Sequence, residues 1–202
     1  MSMILEKEKH SLNDNVHQYN VGNAPHKIMV IISDYSLEIN SISGFIKVKS
    51  HETSLCPHCN GRLKACGSRK RGLKKTDGSN SKYIIRRLQC NTCKMIHHEL
   101  PDVMVPYRRY ESDAIENVLS VESIGDATYF PGEEKTARRI RLWFYLLKDY
   151  IEGSIQGISA LYGVDITLCV PLFPLKGQPA GWLKVIVRSL VNSGRWPQTR
   201  FV

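Results

Sequence analysis

The apolar positions of this chain change period near Tyr110. Before it they fall in short β-branched runs, and after it they recur at spacings of three and four, the mark of one buried helix face. His26 to Ser33 carries Ile28, Val30, Ile31 and Ile32 and predicts a strand, and Gly44 to Val48 predicts a second. Thr76-Asp77-Gly78-Ser79-Asn80 has the residues of a hairpin turn. It is flanked by Arg69 to Lys75 and by Lys82 to Gln89, and the second arm brings Tyr83, Ile84, Ile85 and Leu88 into a strand that ends at Cys90.

Beyond Tyr110, Glu111-Ser112-Asp113 starts a helix with Ile115, Val118 and Leu119 on one face. Pro131-Gly132 breaks the chain, and Glu133-Glu134 place negative charge where the next helix dipole favours it. That helix aligns Ile140, Trp143, Phe144, Leu147 and Ile151 and is expected to run on towards Leu161. Ser123 to Phe130 is short and glycine-interrupted, Val164 to Gly181 reads as a proline-bearing loop, and Trp182 to Asn192 reads as a short amphipathic helix. The expected fold class is therefore α+β, with a flexible arm over 1–25, a β-rich unit over 26–110 and a helical region over 111–202.

At 202 residues and 42% hydrophobic content the chain can bury a core. Its longest apolar stretches fall short of a membrane span, and Met1 to His10 lacks the basic-then-apolar layout of a secretory signal, so a cytoplasmic location is expected. The net charge is +9, and its placement matters more than its size. His51 to Tyr110 holds 13 Lys and Arg against 4 Asp and Glu, while the segments on either side are balanced at 5 against 5 and 10 against 10. Charge focused in this way suggests a surface for a polyanion.

The same segment carries two C-x-x-C pairs, Cys56 with Cys59 and Cys90 with Cys93. In a reducing compartment such pairs bind metal or do redox work rather than form disulfides. A thioredoxin-like reading needs a βαβ context that the pattern lacks. Two thiolate pairs on facing turns instead suit one structural Zn2+ with all four positions filled, and hence no metal catalysis. The residue after each pair must take a turn conformation that Asn60-Gly61 suits and Lys94 suits poorly. Cys66, His97 and His98 remain alternative ligands. Cys66, in a strand with Leu63, and Cys169, in an apolar run, read as small core residues.

Lys64, Arg69, Lys70, Arg71, Lys74, Lys75, Lys82, Arg86 and Arg87 line the hairpin, and phosphate would relieve their mutual repulsion. Strand alternation requires that some of them point away from any one surface. Cys56-Pro57-x-Cys59, Arg87-Leu88-x-Cys90-x-x-Cys93, His97-His98-Glu99-Leu100-Pro101-Asp102 and Val105-Pro106-Tyr107-Arg108-Arg109-Tyr110 together resemble the zinc-ribbon region near the start of bacterial insertion-sequence transposases. They are similar in particular to an uncharacterised bacterial family that carries the ribbon without a catalytic domain. The resemblance extends through Lys135 to Phe144 and through Val191 to Trp196, and so spans most of the chain from Lys27.

The resemblance implies double-stranded DNA as the partner. The ribbon and the later helices, with Arg138, Arg139 and Arg141 at a groove, would read a transposon end or operator, and a helix-turn-helix-like arrangement is one option for the helical region. The acidic magnesium-holding triad of transposases lies further along than this chain reaches, so a non-enzymatic protein is expected, with no small-molecule substrate. The rival expectation is a protein-interaction adaptor anchored by Trp143, Trp182 and Trp196, and a third is a nuclease remnant using His97, His98, Glu99 and Asp102.

Overall fold

The computed structural model describes residues 29–127, 129–163 and 178–197. The arm up to Asn23, most of the loop from Val164 and Cys169 lie outside the described residues. Six strands, β1 (Met29–Ile32), β2 (Tyr35–Ile39), β3 (Ile46–Ser50), β4 (Leu63–Lys74), β5 (Asn80–Cys90) and β6 (Ile96–Pro101), form one curled sheet. Among the described residues four helices follow: α1 (Ser112–Ser120), α2 (Glu134–Leu146), α3 (Lys148–Tyr162) and α4 (Trp182–Asn192), with a 3-10 turn at Ile124–Asp126. The mixed α+β class and the C-terminal helical region are as expected.

Strand β5 organises the sheet. Along one edge it pairs with β4 throughout, from Leu63 opposite Cys90 to Lys74 opposite Asn80. Its other edge is shared: β3 runs parallel to it at Tyr83 and Ile84, and β6 runs antiparallel to it from Arg87 to Gln89. The sheet therefore forks, with β2 outside β3 and β1 outside β6. The hairpin turn closes where expected, with Lys75 N–H donating to Ser79 O at 2.9 Å and the Asp77 carboxylate accepting from Ser79 N–H at 2.7 Å. The first arm is longer than the pattern predicts, because a bulge between Ala65 and Gly67 lets pairing resume towards Leu63.

One face of the sheet meets the helices. Ile31, Leu73, Tyr83, Ile85 and Leu100 join Ile115, Ile140, Trp143, Phe144, Ile151, Trp182, Ile186 and Leu190 in a single buried cluster. The predicted stripe of α2 is buried as expected, but the helix does not run on unbroken. Leu147, at φ −95 and ψ 0, separates α2 from α3. The stripe bends there without a glycine or proline, and α3 packs against α4.

The edge of β1 is closed by a side chain. The Asn192 carbonyl accepts from Ile31 N–H at 2.8 Å and its amide donates to Ile31 O at 2.9 Å, so one residue at the end of α4 satisfies a strand edge as a neighbouring strand would. Glu116 of α1 accepts from the N–H groups of Gly181 and Leu183 at 2.7 and 2.9 Å. A carboxylate thus fills the positive N-terminal end of α4. Among the described residues, no helix is long and apolar enough to cross a membrane.

Candidate functional site

The four cysteines predicted to act together are brought together by two turns of matching geometry. In the first, Asn60 N–H donates to Cys56 O at 2.8 Å and Cys56 N–H to Gly61 O at 2.9 Å. In the second, Lys94 N–H donates to Cys90 O at 3.1 Å and Cys90 N–H to Met95 O at 2.9 Å. The residue closing each turn is left-handed, Asn60 at φ 56 and Lys94 at φ 62. Asparagine accepts that conformation readily, whereas for lysine it is uncommon. Here the Lys94 ammonium donates to Asn91 O at 2.7 Å across its own turn.

The Sγ atoms of Cys56, Cys59, Cys90 and Cys93 all lie within 4.8 Å of one another, with Cys56 to Cys93 at 3.6 Å and Cys59 to Cys90 at 3.5 Å. Four sulfurs held about 2.3 Å from a single ion stand about 3.8 Å apart in a tetrahedron, so this spacing is consistent with a metal such as zinc. Burial pushes the Cys56 thiol up to about 12. At Cys90 burial pulls the same way, but the N–H groups of Cys93 and Thr92 and the Cys59 thiol outweigh it and bring Cys90 down to about 6. Sulfurs this close resist joint ionisation until a cation stands between them.

Two residues support the cluster that the spacing of the cysteines does not single out. Gly61 leaves room for it, since a Cβ there would stand 2.8 Å from Cys90 Sγ and 2.6 Å from Thr92 Oγ1. The buried His97 places Nε2 3.3 Å from Cys56 Sγ. Neither His97 nor His98 belongs to the metal-holding group, and His98 faces the other side of β6. Cys66 is exposed rather than buried, like its β4 neighbours from Lys64 to Lys70, and its thiol donates to Arg87 O at 3.4 Å.

The predicted cations separate into distinct environments. Register places Lys64, Arg69, Arg71 and Arg87 on the sheet face that continues into the core, and Lys70, Lys82 and Arg86 on the opposite face. Lys64, Arg69, Lys70, Lys82 and Arg139 are exposed, and Lys75 and Arg87 are half-buried. Lys70 and Lys82 place their ammonium groups over the Phe45 ring at 4.4 and 5.8 Å from its centre.

Other cations are committed within the fold. Arg86 grips the buried Glu99 with two hydrogen bonds of 2.5 and 2.7 Å. Lys74 donates to Pro131 O at 2.6 Å. Arg138 pairs with Glu134 one turn back at 2.6 Å. Arg141, expected at a groove, instead donates to the carbonyls of Val118, Val121 and Glu122 where α1 ends. Arg141 thereby supplies donors to the end of a helix, whose last carbonyls lack partners of their own.

The tryptophans expected as anchors are mostly internal. Trp143 and Trp182 are each 2% exposed, and Trp196 packs partly buried against the same core. The residues of the nuclease expectation are not gathered. Glu99 is taken by Arg86, Asp102 accepts from the Tyr35 hydroxyl at 2.9 Å, and His97 and His98 point to opposite faces.

Residues 56–140 match a family described as a domain of unknown function (DUF6431). The match begins at the first of the four clustered cysteines and ends within α2, so it takes in both cysteine turns and the whole hairpin. No curated protein and no solved structure matches the chain.

Proposed function

We propose that this protein is a zinc-stabilised nucleic-acid-binding protein, non-enzymatic and cytoplasmic, related to the ribbon-bearing N-terminal regions of insertion-sequence transposases. The observation that carries the reading is the union of a four-sulfur cluster with a hairpin whose cations greatly outnumber its acids. Cys56, Cys59, Cys90 and Cys93 would fill every position of a tetrahedral Zn2+, which leaves the ion a structural role. Such an ion ties the start of β4 to the end of β5 and to the turn before β6, and so fixes the base of the hairpin.

The exposed cations then become the contact set. Lys64, Lys70, Lys82 and Arg139 have the freedom to reach phosphates, and double-stranded DNA is the polyanion the reading favours. Phosphate contacts of this kind set affinity and register, while base choice needs side chains in a groove. Each phosphate contact on duplex DNA contributes about 0.9 to the slope of log affinity against log salt. Changing Lys64, Lys70 and Lys82 to Glu is therefore expected to flatten that slope by about 2 to 3 units, measured by fluorescence anisotropy across a salt series. Duplex affinity and slope equal to the parent's would sink the nucleic-acid reading.

A further inference from the structure

The face of the hairpin that continues into the core carries a cluster of cations that the cysteines and the outer lysines do not explain. Arg87 on β5 lies directly opposite His98 on β6, and on its other side directly opposite Gly67 on β4. No side chain from β4 therefore stands over the Arg87 position. Arg69 and Arg71 follow at the next two same-face positions of β4. Arg69, Arg71, Arg87 and His98 thus share one face of the sheet along the middle of the hairpin.

None of the three arginines has a carboxylate partner among the described residues. Arg71 donates from Nη2 to Arg108 O at 3.1 Å, yet its Nε is buried and without a hydrogen-bond partner among the described residues. An unmet buried donor on a charged group is costly, and more so beside like charges. His98 registers the same field: burial first, then Arg69, Arg87 and Arg71, hold its imidazole below its ordinary value of 6.5. Among the described residues, the fold gathers positive charge here and pairs none of these arginines with a carboxylate.

We infer that Arg69, Arg71, Arg87 and His98 form a binding subsite for one phosphoryl group. The guanidinium fork matches phosphate oxygens two at a time, and three such cations suit a phosphate better than a single carboxylate. Gly67 leaves the approach to Arg87 open, and the Arg71 Nε is a donor ready for an oxygen. The subsite rests on the nucleic-acid reading for the source of its phosphate, which is a backbone phosphate of the bound duplex; a free phosphate has the same chemistry.

The test uses the full chain and inorganic phosphate, with chloride at equal ionic strength as the reference. At a phosphate concentration about ten times the dissociation constant, the folding equilibrium shifts about elevenfold and Tm rises by about 3 to 6 °C. The rise is expected in the parent and in Lys135→Gln, an exposed position on α2 away from the hairpin, and is expected to vanish in Arg87→Gln and Arg69→Gln. Arg69 is exposed, so its variant keeps the test sound should Arg87→Gln fold poorly. The same two variants are expected to weaken binding of a duplex probe. A parent no more stable in phosphate than in chloride, or an equal rise in the arginine variants, overturns the subsite even if duplex DNA binds. A phosphate response lost in the arginine variants of a chain that binds no duplex upholds the subsite, overturns the nucleic-acid reading and assigns the site to free phosphate. A response lost in those variants with unchanged duplex affinity overturns the assignment to backbone phosphate.

Discussion

Replacing Arg141 with Ala separates a structural role from a nucleic-acid role more cleanly than any other change in the helical region. Its guanidinium donates to Val118 O at 3.0 Å, to Glu122 O at 3.0 Å and to Val121 O, all at the C-terminal end of α1. A hydrogen bond to a charged group contributes about 1.5 to 3 kcal/mol in a buried setting, but Arg141 is only half-buried and water can reach carbonyls once the side chain is gone. Three shared bonds on one partly wet guanidinium therefore come to about 2 to 3 kcal/mol in total. The favourable meeting of a cation with the negative end of a helix is already part of that figure. Arg139 is the internal control: it is exposed on the same helix, and its replacement with Ala is expected to cost within about 0.5 kcal/mol. Urea denaturation of the parent and both variants reads the difference. Duplex affinity measured in parallel should fall for Arg139→Ala and stay near the parent's for folded Arg141→Ala. Equal stability of the two variants, with binding lost only in Arg141→Ala, would refute the structural role and return Arg141 to the contact surface.

Two further expectations concern the parts that hold the site. Gly61→Ala should cost the protein its metal and lower its melting temperature, because the new methyl group would stand 2.8 Å from Cys90 Sγ; metal content and thermal denaturation read this, and a variant with full metal content would contradict it. At Glu52, burial opposes ionisation, but the N–H groups of Asp34 and Ser33 and the Arg188 guanidinium prevail and hold the carboxyl below its ordinary 4.5. A depressed carboxylate stabilises the fold above its unfolded value and loses that contribution as pH falls through the folded one. Glu52→Gln should therefore destabilise the protein at neutral pH and matter progressively less below about pH 4.5, as chemical denaturation at several pH values would show.

The helices and the hairpin were legible because burial there follows the period of the element. Ile115, Val118 and Leu119, then Ile140, Trp143 and Phe144, then Leu183, Ile186, Val187 and Leu190 are all buried as their spacing requires. The four clustered cysteines were legible for a different reason, since each C-x-x-C pair forms its own local turn, and the β4–β5 pairing that sets Leu63 opposite Cys90 brings the two turns together. Strand β6 was hidden by its polarity. His97 and Glu99 are buried in it, where His97 Nε2 meets Cys56 Sγ and Glu99 meets Arg86, so its buried side does not read as apolar. Strand β2 lies at a sheet edge with Leu37 and Ile39 exposed, and an edge leaves no burial period to find. The break at Leu147 carries no local punctuation, since no glycine or proline stands there. The roles of Arg86 and Arg141 were equally out of reach. A basic residue in a sequence does not show whether a carboxylate or a row of helix-end carbonyls will meet it in the fold.

Metal content bears most directly on the whole account, because the proposed function places its cationic surface on a base fixed by one ion. Elemental analysis of the purified, folded chain is expected to find about one zinc per chain, with the thiols of Cys56, Cys59, Cys90 and Cys93 unreactive until a chelator removes it. Folded protein that holds no metal, and whose four cysteines react freely with a thiol reagent while the melting temperature stays unchanged by chelation, would contradict it.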